Sequence, residues 1–177
     1  MNSLFDYVYI ENIFSKEFCR DSINHINKLE WNFHTWYANS NDITSKDFMT
    51  TYSEDLQQKM KSKIHSFLLN YVKNIKQSFA LSQFSEIRFN IYESGCGIKE
   101  HIDHIHSLFD GERKGIPILS MVGLFNDDYT GGDFILCNEK IDLKMGDIIV
   151  FPSVFLYPHS VTPVISGTRY SWVLWSY

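Results

Sequence analysis

Cysteine, basic runs and long apolar stretches are all scarce in this 177-residue chain. Its three cysteines, Cys19, Cys96 and Cys137, are odd in number and far apart, and no C-x-x-C occurs. That speaks against a disulfide framework and a zinc ribbon, and favours free thiols in a reducing compartment. No run of lysine or arginine stands out, and the formal net charge is −5. Binding to nucleic acid or to an anionic membrane needs a basic face, so neither partner is expected. A small anion held by one well-placed arginine stays compatible with this balance. No apolar stretch reaches the roughly 20 residues of a membrane span. The opening "MNSLFDYVYIENIF" lacks the charged and apolar regions of a secretion signal. A soluble, cytoplasmic protein is the expectation.

What is present is ordinary globular material, with 44% hydrophobic and 21% charged residues, enough for one domain over 1–177 with a real core. Residues 1–84 read as a largely helical support region. Tyr7 to Ile10 reads as a short strand, and Ser15 as the N-cap of a helix with Cys19, Ile23, Ile26 and Leu29 on one face. "WNFHTWYANSNDITSKDFMTTYS" (31–53) is aromatic, polar and aperiodic, a loop with room for a short strand. Ser53 is a second N-cap, and Leu56, Met60, Ile64, Phe67, Leu68, Tyr71, Val72 and Ile75 then repeat at helical spacing.

From residue 85 the period changes. In "EIRFNIYE", Ile87, Phe89 and Ile91 alternate with Arg88, Asn90 and Tyr92, which predicts a strand with one apolar and one polar face. "IPILSMVGLF" (116–125), Phe134 to Cys137, "IIVFPS" and "TRYSWVLWSY" read as further strands, separated by the turns "NDDYTGGD" and "KMGD". The expectation is α+β, mainly β: N-terminal helices packed against one sheet of a sandwich or small barrel.

Chemistry concentrates in "EHIDHIHSLFD" (100–110), which holds three of the seven histidines. If His101 and Asp103 continue a strand, the period of two puts them on one face and turns His104 away. His106 and Asp110 lie beyond. A third ligand must come from elsewhere. His25, His34 and His65 belong to the helical half, whereas His159 stands in the β half, just after a strand. Two imidazoles and one carboxylate leave one face of an octahedron open, an arrangement typical of non-haem Fe(II) oxygenases. Ten residues after His159 comes Arg169, whose planar fork matches a carboxylate. Aimed into a sandwich interior, it needs an anionic partner.

Four blocks, "RFNIYESGCGIKEHID", "LSMVGLFNDDYTGGDFIL", "LKMGDIIVFPS" and "HSVTPVISGTRYSWVLW", resemble in order those of the 2-oxoglutarate and Fe(II)-dependent dioxygenases, in their prolyl 4-hydroxylase-like branch. The resemblance runs from about residue 86 to the end. It implies a double-stranded β-helix (a cupin-like jelly roll) as the catalytic core over 85–177. It implies iron held by His101, Asp103 and His159, with 2-oxoglutarate and O2 as co-substrates. Arg169 would bind the distal carboxylate of 2-oxoglutarate, Tyr92 would hydrogen-bond it, and Trp175 would line the pocket near the iron. Many relatives carry a tyrosine where this chain has Leu124, so Arg169 would depend on another partner, Ser120 being a candidate, or on none.

The implied activity is hydroxylation of an unactivated C–H with release of succinate and CO2. Asp103 favours hydroxylation over halogenation, because halogenating relatives lack that carboxylate. A prolyl residue in a peptide or protein is the leading substrate, followed by a free amino acid or other small molecule. The nucleic-acid demethylase pattern R-x5-R is broken by Trp175. A non-redox metal enzyme or a binding module of the same architecture is the remaining alternative, and zinc would suit the same ligands. The segments 104–115, with His104, His106, Phe109 and Arg113, and 31–53, with Trp31, Phe33, Trp36 and Tyr37, are candidate lids over the site.

Overall fold

The computed structural model describes residues 3–34, 48–75, 83–103 and 116–177. Its elements are a 3-10 turn (Leu4–Tyr7), β1 (Tyr9–Asn12), α1 (Lys16–Ile26), β2 (Asn32–Phe33), β3 (Met49–Tyr52), α2 (Glu54–Ile75), β4 (Arg88–Tyr92), β5 (Ile98–His101), β6 (Leu119–Leu124), β7 (Thr130–Gly131), β8 (Phe134–Leu136), β9 (Glu139–Ile141), β10 (Asp147–Pro152), β11 (His159–Val161), β12 (Val164–Ser166) and β13 (Arg169–Ser176). A seven-stranded antiparallel sheet runs β1-β10-β6-β13-β4-β3-β2 and a four-stranded one runs β5-β11-β8-β9, with β12-β7 as a small third. The architecture is a jelly roll with helices on one face. Among the described residues no helix is long and apolar enough to cross a membrane.

Both helices begin where the sequence predicts. The Ser15 side chain accepts from the backbone N–H of Phe18 at 3.1 Å. Ser53 accepts from Leu56 N–H at 3.3 Å and also meets His25 Nε2 at 2.8 Å, which ties the start of α2 to α1. The predicted stripe of α2 is buried from Leu56 through Tyr71, with Val72 and Ile75 at its edge. It packs on the outer face of the large sheet, against Phe89, Met121, Ile148, Trp172 and Leu174. Alternate residues of the same strands, Tyr92, Val122, Leu124, Ile149 and Phe151, turn inward and meet Ile98, Phe134, Leu136 and Val161 of the small sheet. The period of two thus divides one set of strands between two cores.

One strand expectation needs correction. The N-terminal strand starts at Tyr9 rather than Tyr7, because a 3-10 turn takes Leu4–Tyr7. That turn is set by a capping box: Ser3 accepts from Phe5 N–H and Asp6 accepts from Ser3 N–H. The polar side of β4 faces inward, and Asn90 and Tyr92 are buried along with Phe89 and Ile91. Helices cover one side of this strand and the small sheet covers the other. Close packing also explains Gly123: a Cβ there would lie 2.1 Å from the indole of Trp172, its partner across β6 and β13. Only a residue without a side chain fits beneath that ring.

Candidate active site

The cluster begins with strand pairing. β5 and β11 are antiparallel with His159 directly opposite His101, so the two side chains stand on the same side of the sheet. Their ring centroids are 4.3 Å apart. His159 opens β11 rather than following a strand. Asp103 lies two residues past His101, beyond the end of β5, and returns to the same face. Its Oδ1 is 3.6 Å from Nε2 of His101 and its Oδ2 is 3.5 Å from Nε2 of His159. One donor atom from each of the three residues falls within 4.8 Å of the others.

The protonation pattern suits a metal. Nδ1 of His101 lies 2.9 Å from the carbonyl of Lys99, and Nδ1 of His159 lies 3.1 Å from that of Tyr157. A carbonyl only accepts, so each Nδ1 carries the hydrogen and a neutral ring then presents a lone pair at Nε2. Burial, reinforced by His159, pulls His101 down to about 4, so its ring is neutral at pH 7. The His101 lone pair therefore faces the Asp103 carboxylate, an arrangement that a cation placed among the three residues would relieve. Two imidazoles fixed by backbone carbonyls and one carboxylate fit Fe(II) with positions left open.

Two side chains donate hydrogen bonds to Asp103. Ser120 Oγ donates to its Oδ2 at 2.7 Å, and Ser153 Oγ is 2.6 Å from Ser120 Oγ. Ser120 has one hydrogen and the carboxylate has none to give, so Ser153 must donate to Ser120 in an ordered chain. The Trp175 side chain donates as well. Burial works to raise the Asp103 carboxyl, but His159, Ser120, Trp175 and His101 outweigh it and hold the group below its ordinary value.

Arg169 starts β13 and is 1% exposed. One terminal nitrogen donates to Ser171 Oγ at 2.8 Å, and the guanidinium lies 5.1 Å above the Tyr92 ring. It also donates to the Tyr129 hydroxyl, whose pKa burial raises and Arg169 partly restores. All these partners are neutral. Nε has no partner, and no carboxylate among the described residues forms an ion pair with this arginine. A buried cation without a counter-charge costs several kcal/mol, of the order of the penalty for splitting a buried pair. It lines the same cleft as His101, Asp103 and His159, together with Tyr92 and Trp175. Tyr92 is itself buried and stacked on Phe48 at 4.6 Å.

All six predicted site residues thus meet in one cleft. Ser120 does not partner Arg169; it serves Asp103, four residues along β6 from the level of Leu124. The roles of Tyr129, Ser153 and Phe48 were not foreseen. Of these only Tyr129 carried a signal, an aromatic in a polar turn before two glycines. His25 and His34 take structural places, on Ser53 and Phe48, and His65 lies exposed on α2. Trp31 packs on the helical core and Phe33 is exposed. Trp36, Tyr37 and the whole segment 104–115, with His104, His106, Phe109, Asp110 and Arg113, lie outside the described residues.

Residues 87–177 match the family model described as the 2OG-Fe(II) oxygenase superfamily. The chain belongs to this family. Similar proteins include PKHD-type hydroxylases: one from Shewanella oneidensis is 34% identical over 99 residues, 52% of this chain and 43% of that one. One from Hyphomonas neptunium is 25% identical over 177 residues, 95% of this chain and 76% of that one. The chain spans less than half the length of the Shewanella relatives it matches. Among solved structures, a Trichoplax adhaerens prolyl hydroxylase in complex with a hypoxia inducible factor peptide fragment superimposes with a TM-score of 0.75 at 18% identity, covering 97% of this chain and 84% of that one. A Pseudomonas putida prolyl-4-hydroxylase gives 0.69 at 18% identity, covering 96% and 91%. The 2OG-Fe(II) oxygenase fold therefore extends over the helical half as well as the matched β half.

Proposed function

We propose that this protein is a hydroxylase that uses Fe(II), 2-oxoglutarate and O2 and acts on a prolyl residue of a peptide or protein, releasing succinate and CO2. The observation that carries this reading is the placement of two groups in one cleft. At one end His101, Asp103 and His159 bring one ligand atom each within 4.8 Å of the others. At the other stands the buried guanidinium of Arg169, which forms no ion pair with a carboxylate of the described residues. A dicarboxylate whose keto-acid end reaches the metal and whose far carboxylate reaches Arg169 satisfies both at once. His101, Asp103 and His159 would hold the iron. Bound there, iron with 2-oxoglutarate supplies the oxidising power for C–H hydroxylation. Everything else falls to the chain: Arg169 and Tyr92 orient the co-substrate, and the Ser153–Ser120 relay with Trp175 keeps Asp103 ionised and in place. The prolyl substrate is carried over from the similarly folded prolyl hydroxylases.

The cleft offers about 30 Å³ to the centres of water-sized molecules, room for about two or three waters. A five-carbon dicarboxylate therefore enters with side-chain movement at the partly buried rim, where Arg88, His101 and Trp175 stand. The test is an anaerobic titration of the protein with Fe(II) and 2-oxoglutarate, following the visible charge-transfer band of the chelate. We expect a saturable band, and in Arg169→Ala an apparent Kd for 2-oxoglutarate raised at least tenfold. Absence of the band in a protein that retains zinc would move it to the non-redox alternative.

A further inference from the structure

Among the described residues that line the cleft, Arg88 is the one Lys or Arg with no part in the function just proposed. It stands on β4 four residues before Tyr92 and on the same inward face. The register of β4 against β13 sets Tyr92 opposite Arg169 and Arg88 opposite Val173. The two arginines therefore mark opposite ends of the cleft floor, separated along the strands by about 13 Å, four residues at about 3.3 Å each. The His-Asp-His cluster and both arginines line this one cleft. Arg169 is sealed in at the deep end and Arg88 is half-buried at the other.

The placement of Arg88 is specific. Its guanidinium is 5.2 Å from the ring of Trp175 and 5.7 Å from that of Phe48. Its Nε donates to Asn90 Oδ1 at 3.1 Å, and Asn90 is fully buried. Two aromatic faces and an amide thus fix the plane of the fork. Trp175 in turn donates to Asp103, so the guanidinium stands about one side chain's width from a candidate iron ligand. A co-substrate stretched between the metal and Arg169 occupies the other end of the cleft and leaves Arg88 on the side where the reacting substrate arrives. In a protein of net charge −5, an anionic substrate meets general repulsion and needs a local cation of this kind.

We propose that Arg88 binds a carboxylate of the substrate, so that the carbon hydroxylated lies close to a negative charge. That carboxylate belongs either to a free amino acid or to an acidic side chain beside the reacting residue in a peptide. The inference rests on the Fe(II) and 2-oxoglutarate chemistry proposed above and concerns its substrate, which it restricts to one carrying a carboxylate and which it lets be a free amino acid as well as a peptide.

The experiment uses the full chain loaded anaerobically with Fe(II) and 2-oxoglutarate. Two matched probe pairs are titrated: L-proline against L-prolinamide, and the blocked peptides acetyl-Asp-Pro-Ala-amide against acetyl-Asn-Pro-Ala-amide. Perturbation of the chelate band reads the Kd without turnover. In the wild type the carboxylate member of at least one pair binds tenfold or more tighter than its neutral partner. Arg88→Gln abolishes that preference while the chelate band still forms, and Arg88→Lys restores part of it. Preference in the proline pair identifies a free amino acid, and preference in the peptide pair an acidic neighbour. Equal binding within both pairs, no binding of either pair, or a preference that survives in Arg88→Gln overturns the assignment. Loss of the chelate in Arg88→Gln also overturns it, by making the residue a support for the metal site. A wild type that never forms the chelate refutes the co-substrate reading itself, and this inference with it.

Discussion

Ser120→Ala tests the hydroxyl relay behind Asp103. Ser120 is 1% exposed and gives its only hydrogen to Asp103 Oδ2 at 2.7 Å. Hydrogen bonds to charged groups are worth about 1.5–3 kcal/mol. Partners that orient a metal ligand typically carry about 10–100-fold in metal affinity. The two figures agree, since tenfold is about 1.4 kcal/mol. Ser120→Ala should therefore weaken Fe(II) binding at pH 7 by about 10–100-fold. The pH dependence has a definite sign. Asp103 must be ionised to hold a metal, and the Ser120 hydroxyl is among the causes that hold its pKa down. Without that hydroxyl the carboxyl rises, so metal release on acidification begins at higher pH. Ser153→Ala is the control, because it leaves the Ser120 hydrogen on Asp103 and should cost only a few-fold. Anaerobic Fe(II) titration against a competing chelator, repeated between pH 4 and pH 8, reads both quantities. An Fe(II) affinity of Ser120→Ala within twofold of wild type, with an unmoved acid limb, would refute the relay. So would Ser153→Ala being the more damaging change.

Three further outcomes are expected. Tyr129→Phe removes the hydroxyl that accepts from Arg169 and should raise the Kd for 2-oxoglutarate about tenfold, the lower end of the worth of a hydrogen bond to a charged group, in the same chelate titration. Gly123→Ala drives a Cβ to 2.1 Å from the fully buried indole of Trp172. Overpacking of this kind costs about 1–3 kcal/mol or more, so Tm should fall by roughly 2–4 °C per kcal/mol; an unchanged Tm would mean the indole has room to move. His34 is stacked on Phe48 at 4.6 Å. Burial, with smaller contributions from Arg88 and His101, holds its pKa at about 4 against 6.5. Between those values the unfolded chain binds more protons than the folded one, so His34 costs stability as pH falls from about 6.5 towards 4. His34→Gln should flatten that part of the Tm-against-pH curve of the metal-free protein.

Legibility in the sequence followed the range of the forces involved. The stripe from Leu56 to Tyr71 announced α2 because a repeat of 3.6 residues and a burying face are the same fact. Ser15 and Ser53 announced helix starts because capping is local. The first strand was displaced by a local device of another kind: Ser3 and Asp6 spend backbone N–H groups on a 3-10 turn, which alternation of apolar residues cannot reveal. β4 taught something different. Its alternation was real, but alternation reports a contrast between two faces and not which face meets water. Here the polar face is enclosed by the small sheet, and Asn90, Tyr92 and Arg88 on it line or support the cleft. Polar residues at inward positions of a jelly roll cost stability unless they serve a site, so their presence there was itself a functional signal.

At the site, the H-x-D spacing was readable because it is set within three consecutive residues at the end of β5, and the pairing of His101 with His159 was reachable only through the family resemblance, because it depends on the register of β5 against β11. The assignment of Ser120 failed for the same reason. Register places Ser120 opposite Trp175 and Leu124 opposite Ser171. Four residues of β6 therefore separate the end of the cleft that serves Asp103 from the end that serves Arg169. A hydroxyl at the first level has no reach to the second. Leu124, read along the sequence, is a tyrosine lost from the co-substrate end. In three dimensions the arginine there has Ser171 on its own strand and Tyr129 from the following turn. The turn folds back because Gly131 and Gly132 take positive φ of 69° and 61°. A Cβ on Gly132 would lie 3.0 Å from the Tyr129 ring and 3.1 Å from Arg169 Cδ. The two glycines of "YTGGD" are thus what brings a phenol to the arginine, a substitution of role that no position-by-position reading of β6 would find.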